Sequence, residues 1–193
     1  MLKKYFLNCF LLNIPILLWN FVFAKKLPLP YQPEIFWNNI PSILRYGENI
    51  SRILIFILTM LMPLNITTTS QRRGLVLYVI GTLSYFCSWI ALINWPNSAW
   101  SAHPLGFLTP AYTPLFWLLG IGMIGNSFYF NLPFRKKYFI GLTILFLTLH
   151  VFHAVLIYNR LYWTAKNNLI RFDPFEYLVE RIKIIFNEVY LLI

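Results

Sequence analysis

Apolar residues in this chain run on in long blocks, without the alternation of a half-buried strand or the single stripe of a surface helix. A helix must supply about 20 apolar residues to cross about 30 Å of hydrocarbon. Five stretches meet that length, 5–24, 50–66, 74–95, 105–130 and 138–158, and they predict five membrane spans. The second is the weakest: its uninterrupted core is only 53–64, and Arg52 sits at its mouth, where a long side chain can snorkel to the headgroups.

The first block also has the basic start of a signal peptide (Lys3, Lys4) and a small-residue pattern ending at Ala24. Its apolar run exceeds the usual 7–15 residues of such a leader, so a retained span is the expectation. In the fourth block Pro104, Pro110 and Pro114 each remove a backbone donor, so a kinked approach precedes a regular helix beginning near Pro114. Gly120, Gly122 and Gly125 spell a dinucleotide fingerprint, but no strand precedes them. Small residues here, and Gly81, Ser84 and Ser88 in the third block, fit close helix packing instead.

Two segments outside the blocks read as interfacial. Residues 25–49 hold three prolines and a short amphipathic stretch around Ile35, Phe36, Trp37, Ile40 and Leu44. The C-terminal region, 159–193, contains an amphipathic helix: Asp173 caps it, Pro174 suits its first turn, and Phe175, Leu178, Val179, Ile182, Ile185, Phe186 and Val189 share a face. The expected fold is therefore one all-α polytopic membrane domain over 1–193, with five spans and an amphipathic C-terminal helix.

Composition agrees with the pattern. The 193 residues are 59% apolar and 11% charged, against about 45–50% and about 25% in soluble domains. That excludes a soluble enzyme, a disordered chain and a disulfide scaffold; Cys9 and Cys87 form no CxxC pair. A formal charge of +10 would suggest nucleic acid in a soluble protein. Between membrane spans basic residues set topology, so no nucleic-acid partner is expected.

Five spans sort the loops onto two sides. Seven of the 16 basic residues fall on the N-terminal side, among them Arg72, Arg73, Arg135, Lys136 and Lys137, and no acid accompanies them. All six acids lie on the opposite side. The N-terminus is expected in the cytoplasm, with those five residues contacting lipid headgroups. Trp19, Trp37, Trp95, Trp100 and Trp163 mark the opposite, aromatic-rich side.

No Asp, Glu, Lys or Arg falls in the middle of a block, which counts against an ion-coupled transporter. The polar candidates are uncharged or histidine. His150 and His153 lie three apart and share a helix face. Ser88, Asn94, Tyr112 and Thr113 fall in the same half, and His103 lies in the adjoining loop. Polar groups in hydrocarbon need partners, so these are expected to converge on a pocket roofed by Trp95, Trp100 and the 25–49 segment. With only His103 and Cys87 as further ligands, no metal and no cofactor is expected. Catalysis by His150, His153 and His103 lacks a carboxylate orienter, unless Asp173 or Glu176 folds back.

Two functions stand. The leading one is a non-catalytic membrane component that binds a partner protein or a hydrophobic small molecule through the aromatic-rich face. The alternative is a membrane-embedded enzyme acting on a lipid by histidine acid–base chemistry.

Overall fold

A computed structural model describes residues 6–125, 127–130 and 135–167. The expected C-terminal helix, with Asp173 and Glu176, lies outside the described residues, as does Asn126. Among the described residues the chain is all-helical, and its one extended contact is an isolated bridge between Asn8 and Pro63. A 3-10 turn (Cys9–Asn13) leads into α1 (Ile14–Phe23). Then follow α2 (Pro33–Phe36), α3 (Ser42–Leu61), α4 (Thr69–Asn94), α5 (Ala99–Ala102), α6 (Pro104–Tyr112), α7 (Pro114–Ile124) and α8 (Arg135–Asn167).

Among the described residues four helical stretches are long and apolar enough to cross a membrane: Cys9–Lys26, Thr69–Asn94, Pro104–Ile124 and Lys137–Tyr162. The expectation was five, and the second block is the one that falls away. Its helix begins at Ser42 rather than residue 50, taking Arg45, Glu48 and Arg52 into its first half. The 25–49 segment is thus not wholly a connector, because α3 starts inside it.

Backbone and side-chain bonds show which ends adjoin. At one end Cys9 N–H donates to Met62 O (2.8 Å), Leu64 N–H to Leu7 O (3.0 Å) and Tyr129 N–H to Leu61 O (3.1 Å). Gln71, which completes a capping box with Thr68 at the start of α4, reaches across to Ile124 O at 3.1 Å. At the other end the Tyr31 hydroxyl donates to Phe107 O (2.7 Å), and Arg160 donates to Asn38 O and Asn39 O (2.6 and 3.2 Å). Burial pushes the Tyr31 phenol well above its ordinary range, with Tyr162 adding to the shift, so it stays a donor. Among the described residues the helices therefore run five times between these two ends, four of the runs being long and apolar enough to cross a membrane and the fourth built from α6 and α7 together.

The proline-broken fourth pass takes the expected form. Pro110 sits inside α6 and Pro114 opens α7. α4 and α7 meet at glycines. A Cβ on Gly81 would lie 2.5 Å from Trp117 N, and one on Gly120 would lie 2.6 Å from Tyr78 N. Backbone faces backbone there, so neither helix can yield by a rotamer change.

α3 is amphipathic in the opposite sense to a helix on a water-soluble protein. Its buried face is Leu44, Glu48, Ser51, Ile55 and Thr59, whereas Ile43, Ile50, Ile53, Ile57 and Met60 are exposed. Water would penalise that arrangement; a surrounding of hydrocarbon would not.

Gly81→Ala is expected to cost about 1–3 kcal/mol through overpacking. Gly141→Ala, where an added Cβ meets nothing within 4 Å, is expected to be neutral or mildly stabilising. Thermal unfolding of both variants in detergent checks the contrast.

Candidate functional site

The stripe that α3 turns inward places Glu48 against α8. Its side chain has 0% exposure, and both carboxylate oxygens are engaged. Oε1 meets the Arg52 guanidinium, one turn along α3, and His150 Nδ1 at 3.0 Å. Oε2 meets His153 Nδ1 at 2.7 Å. The shared face of His150 and His153, expected from their spacing, thus converges on a carboxylate that the sequence reading had left in a loop. The middle of the block as drawn from residue 50 holds no charge; in the bundle a buried charge is present, because Glu48 lies in the same helix.

Proton positions follow from the partners. His153 Nε2 lies 2.8 Å from Phe36 O, a carbonyl that can only accept, so Nε2 carries a proton. One more proton then lies between His153 Nδ1 and Glu48 Oε2. Whichever atom holds it, the Glu48–His153 pair is neutral in sum. Arg52 can only donate, so Oε1 is an acceptor, and His150 donates to it from Nδ1. With Nδ1 donating, His150 Nε2 has no hydrogen-bond partner among the described residues.

The two histidines are held differently. His153 is fully buried, bonded at both ring nitrogens, and covered by Phe36 and Trp37 with ring centres 4.1 and 4.7 Å away. It ties the chain around α2 to α8. His150 is 20% exposed, stacked on Phe146 at 5.3 Å, and bonded at one nitrogen only. Arg52, 35% exposed, also lies over the Phe146 ring.

His150 and Arg52 both line a cavity of about 260 Å³ to which all five passes contribute. The 3-10 turn supplies Asn13, α1 supplies Ile16, Leu17 and Asn20, α3 supplies Ile55 and Phe56, and α4 supplies Tyr85. The fourth pass brings Pro110, Pro114, Trp117 and Leu118. Both helix-breaking prolines thus face this space, where irregular backbone is tolerated. The exposed Leu17 and Asn20 and the part-exposed Arg52 lie at its rim, between α1 and α3.

Two polar atoms of lining residues are buried without a partner. Asn13 donates through Nδ2 to Thr59 Oγ1 (3.0 Å), whose own proton goes to Phe56 O (2.8 Å), so the amide orientation is fixed and Oδ1 is the unpaired end. Trp117 Nε1 is an unpaired donor. Each such atom costs about 1–3 kcal/mol when it has no partner.

The other expected site residues lie elsewhere. Ser88 and Asn94 bond to the backbone of their own helix, at Tyr85 O and Ile90 O. Tyr112 and Thr113 bond to Thr109 and Leu105 within the fourth pass. Trp95 and Trp100 are 62% and 50% exposed. His103 is exposed and caps α6, its Nδ1 accepting from Leu105 N–H at 3.3 Å, so it does not join the other histidines. None of these lines the cavity. Arg72, Arg73 and Lys137 are exposed at the end expected for them, and the Arg135 and Lys136 side chains lie outside the described residues. Among the described residues no group of three or more His, Cys, Asp or Glu is placed to hold a metal ion.

Compared with known proteins, the chain matches no family model, no curated protein and no solved structure.

Removing Glu48 leaves Arg52 and two histidines facing an empty acceptor site. Glu48→Ala is expected to cost about 3–5 kcal/mol, with Glu48→Gln costing less because it keeps an acceptor. His153→Ala is expected to destabilise more than His150→Ala, since His153 loses two bonds and full burial. Thermal midpoints in a single detergent would rank the four variants.

Proposed function

We propose that this is a multi-pass integral membrane protein that binds a small amphiphile, with an apolar body and a carboxylate or carboxylic-ester head, in the cavity between its five passes. The observation that carries the reading is the pairing of apolar walls with the Arg52 guanidinium around one cavity. The inverted polarity of α3 supports a lipid surround, since its outward face is a row of isoleucines. The apolar walls (Ile16, Leu17, Ile55, Phe56, Leu118) take the chain, and Arg52 takes the head. The volume is near the lower end of small-molecule pockets, about 300–1,000 Å³, which favours a short or medium acyl chain. Entry lies sideways between α1 and α3, where an amphiphile already in the bilayer would arrive.

In this reading the ligand site has moved from the aromatic-rich end to the middle of the bundle. The aromatic end instead serves assembly: Tyr31 stacks on Phe107 at 4.9 Å and meets Trp89 edge-on at 5.0 Å. The proposed orientation keeps the N-terminus in the cytoplasm, with Arg72, Arg73 and Lys137 near anionic headgroups.

Two measurements test the proposal. Decanoate is expected to bind the purified protein in calorimetry, and Arg52→Gln to weaken it roughly tenfold or more, the size of one charge-assisted bond; decanol, lacking the charge, should bind more weakly than decanoate. Failure of decanoate to bind would sink the reading. For orientation, a cysteine placed at Arg73 in a Cys87→Ser background should react with an impermeant maleimide only from the cytoplasmic face.

A further inference from the structure

The Glu48–His150 pair lies on the same cavity as the proposed ligand, and its geometry allows more than binding. His150 donates to the carboxylate from Nδ1, which fixes its tautomer and ring plane and leaves the Nε2 lone pair unoccupied on a cavity-lining residue. A carboxylate that orients an imidazole so that its other nitrogen can take a proton is the arrangement of a general base. His153, on the same carboxylate, cannot play that part, because Phe36 O holds its Nε2 proton.

The lining residues comprise no serine, threonine or cysteine. The hydroxyl among those lining residues, Tyr85's, donates to Asn20 Oδ1 at 2.7 Å, so the O–H that a base at Nε2 activates is a mobile one. Among the described lining residues Arg52 is the one Lys or Arg. That matches the single charge of a tetrahedral acyl intermediate, whereas phosphoryl transfer spreads charge over several oxygens.

Resting on the ligand class proposed above, we infer that the protein cleaves a carboxylic ester of that amphiphile by transferring its acyl group to a hydroxyl, with His150 as the catalytic base. Nε2 takes the proton of the attacking O–H as its oxygen bonds to the ester carbonyl carbon. The carbonyl electron pair moves onto oxygen, where the Arg52 charge stabilises it. On collapse the ester C–O bond breaks, and the leaving alkoxide takes the proton back from Nε2. No electrons are gained or lost. Glu48 is a positioning residue that holds the His150 tautomer, and Arg52 holds the carboxylate of the released acid. The acceptor hydroxyl is water, giving the free acid, or an alcohol, giving a new ester.

The experiment uses the full chain in detergent micelles with 4-nitrophenyl decanoate, run in ¹⁸O-water with and without added glycerol. Nitrophenol release is expected well above that of empty micelles. Label in the decanoate marks water as acceptor, and decanoylglycerol marks an alcohol. His150→Gln should lower turnover at least roughly a hundredfold, the lower limit for a general base, while decanoate still binds within a few-fold of the wild-type affinity. Glu48→Gln should alter the shape of the pH–rate profile, which a purely structural role would leave unchanged.

Should His150→Gln fail to fold, diethylpyrocarbonate on the wild-type protein gives an independent reading. His150, with its bare nitrogen, should be modified and protected by decanoate, while His153 should stay unmodified. Turnover no faster than His150→Gln or empty micelles overturns the inference, as does modification at His153 in place of His150. If decanoate binds but the ester is not cleaved, the inference falls and the binding site stands. If decanoate does not bind, both fall.

Discussion

A fully buried carboxylate is the constraint on which the rest of this bundle turns. Glu48 could not be withdrawn from water alone, because desolvating one ionised group costs several kcal/mol even after relaxation. Arg52, His150 and His153 between them occupy both oxygens. Arg52 is local, one turn along α3, and would be present in an isolated helix. The histidines come from α8, about a hundred residues downstream, so satisfying the carboxylate fixes the rotation and depth of α3 against α8. His153 then extends the constraint to Phe36, and Arg160 on the same helix holds Asn38 and Asn39.

That requirement explains why two adjacent histidines on one helix face have separate characters. One carboxylate has two oxygens, and each histidine takes one. The difference arises at the second ring nitrogen. For His153 the neighbouring chain supplies a carbonyl and two aromatic rings; for His150 it supplies open space and Phe146. The fourth pass makes that space. Two prolines four residues apart interrupt its hydrogen-bond ladder at the level of the cavity, and an unbroken helix would pack there as closely as α7 packs on Gly81 and Gly120 of the α4–α7 contact.

Much of this was legible in the residue pattern. Long apolar blocks gave one end of α4 and one end of the α6–α7 pair to within a residue and the other ends to five or six residues, and the i, i+3 spacing of His150 and His153 gave their common direction. The proline break and the small-residue packing were equally readable, since both follow from backbone chemistry. Glu48 was not, and the reason is physical. Hydropathy averages over all sides of a helix, so three charges in the first half of α3 pushed its start out to residue 50. The face-by-face pattern held the missing signal: Leu44, Ser51 and Ile55 lie in register with Glu48, while the opposite side is a run of isoleucines. The unpaired atoms of Asn13 and Trp117 could not have been read at all, because they depend on which neighbours the folded chain brings near them.

The long sequence separation between Glu48 and its histidines has a consequence for biosynthesis. At about 5–20 residues per second, on the order of ten seconds pass between emergence of α3 and emergence of the helix that completes its polar face. Throughout that interval the inward stripe of α3 has only Arg52 as a charged companion and must stay hydrated, or shielded by other machinery. Its outward isoleucines favour the opposite surroundings. α3 is thus the helix whose packing has to wait, and α8 is the one that lets it settle.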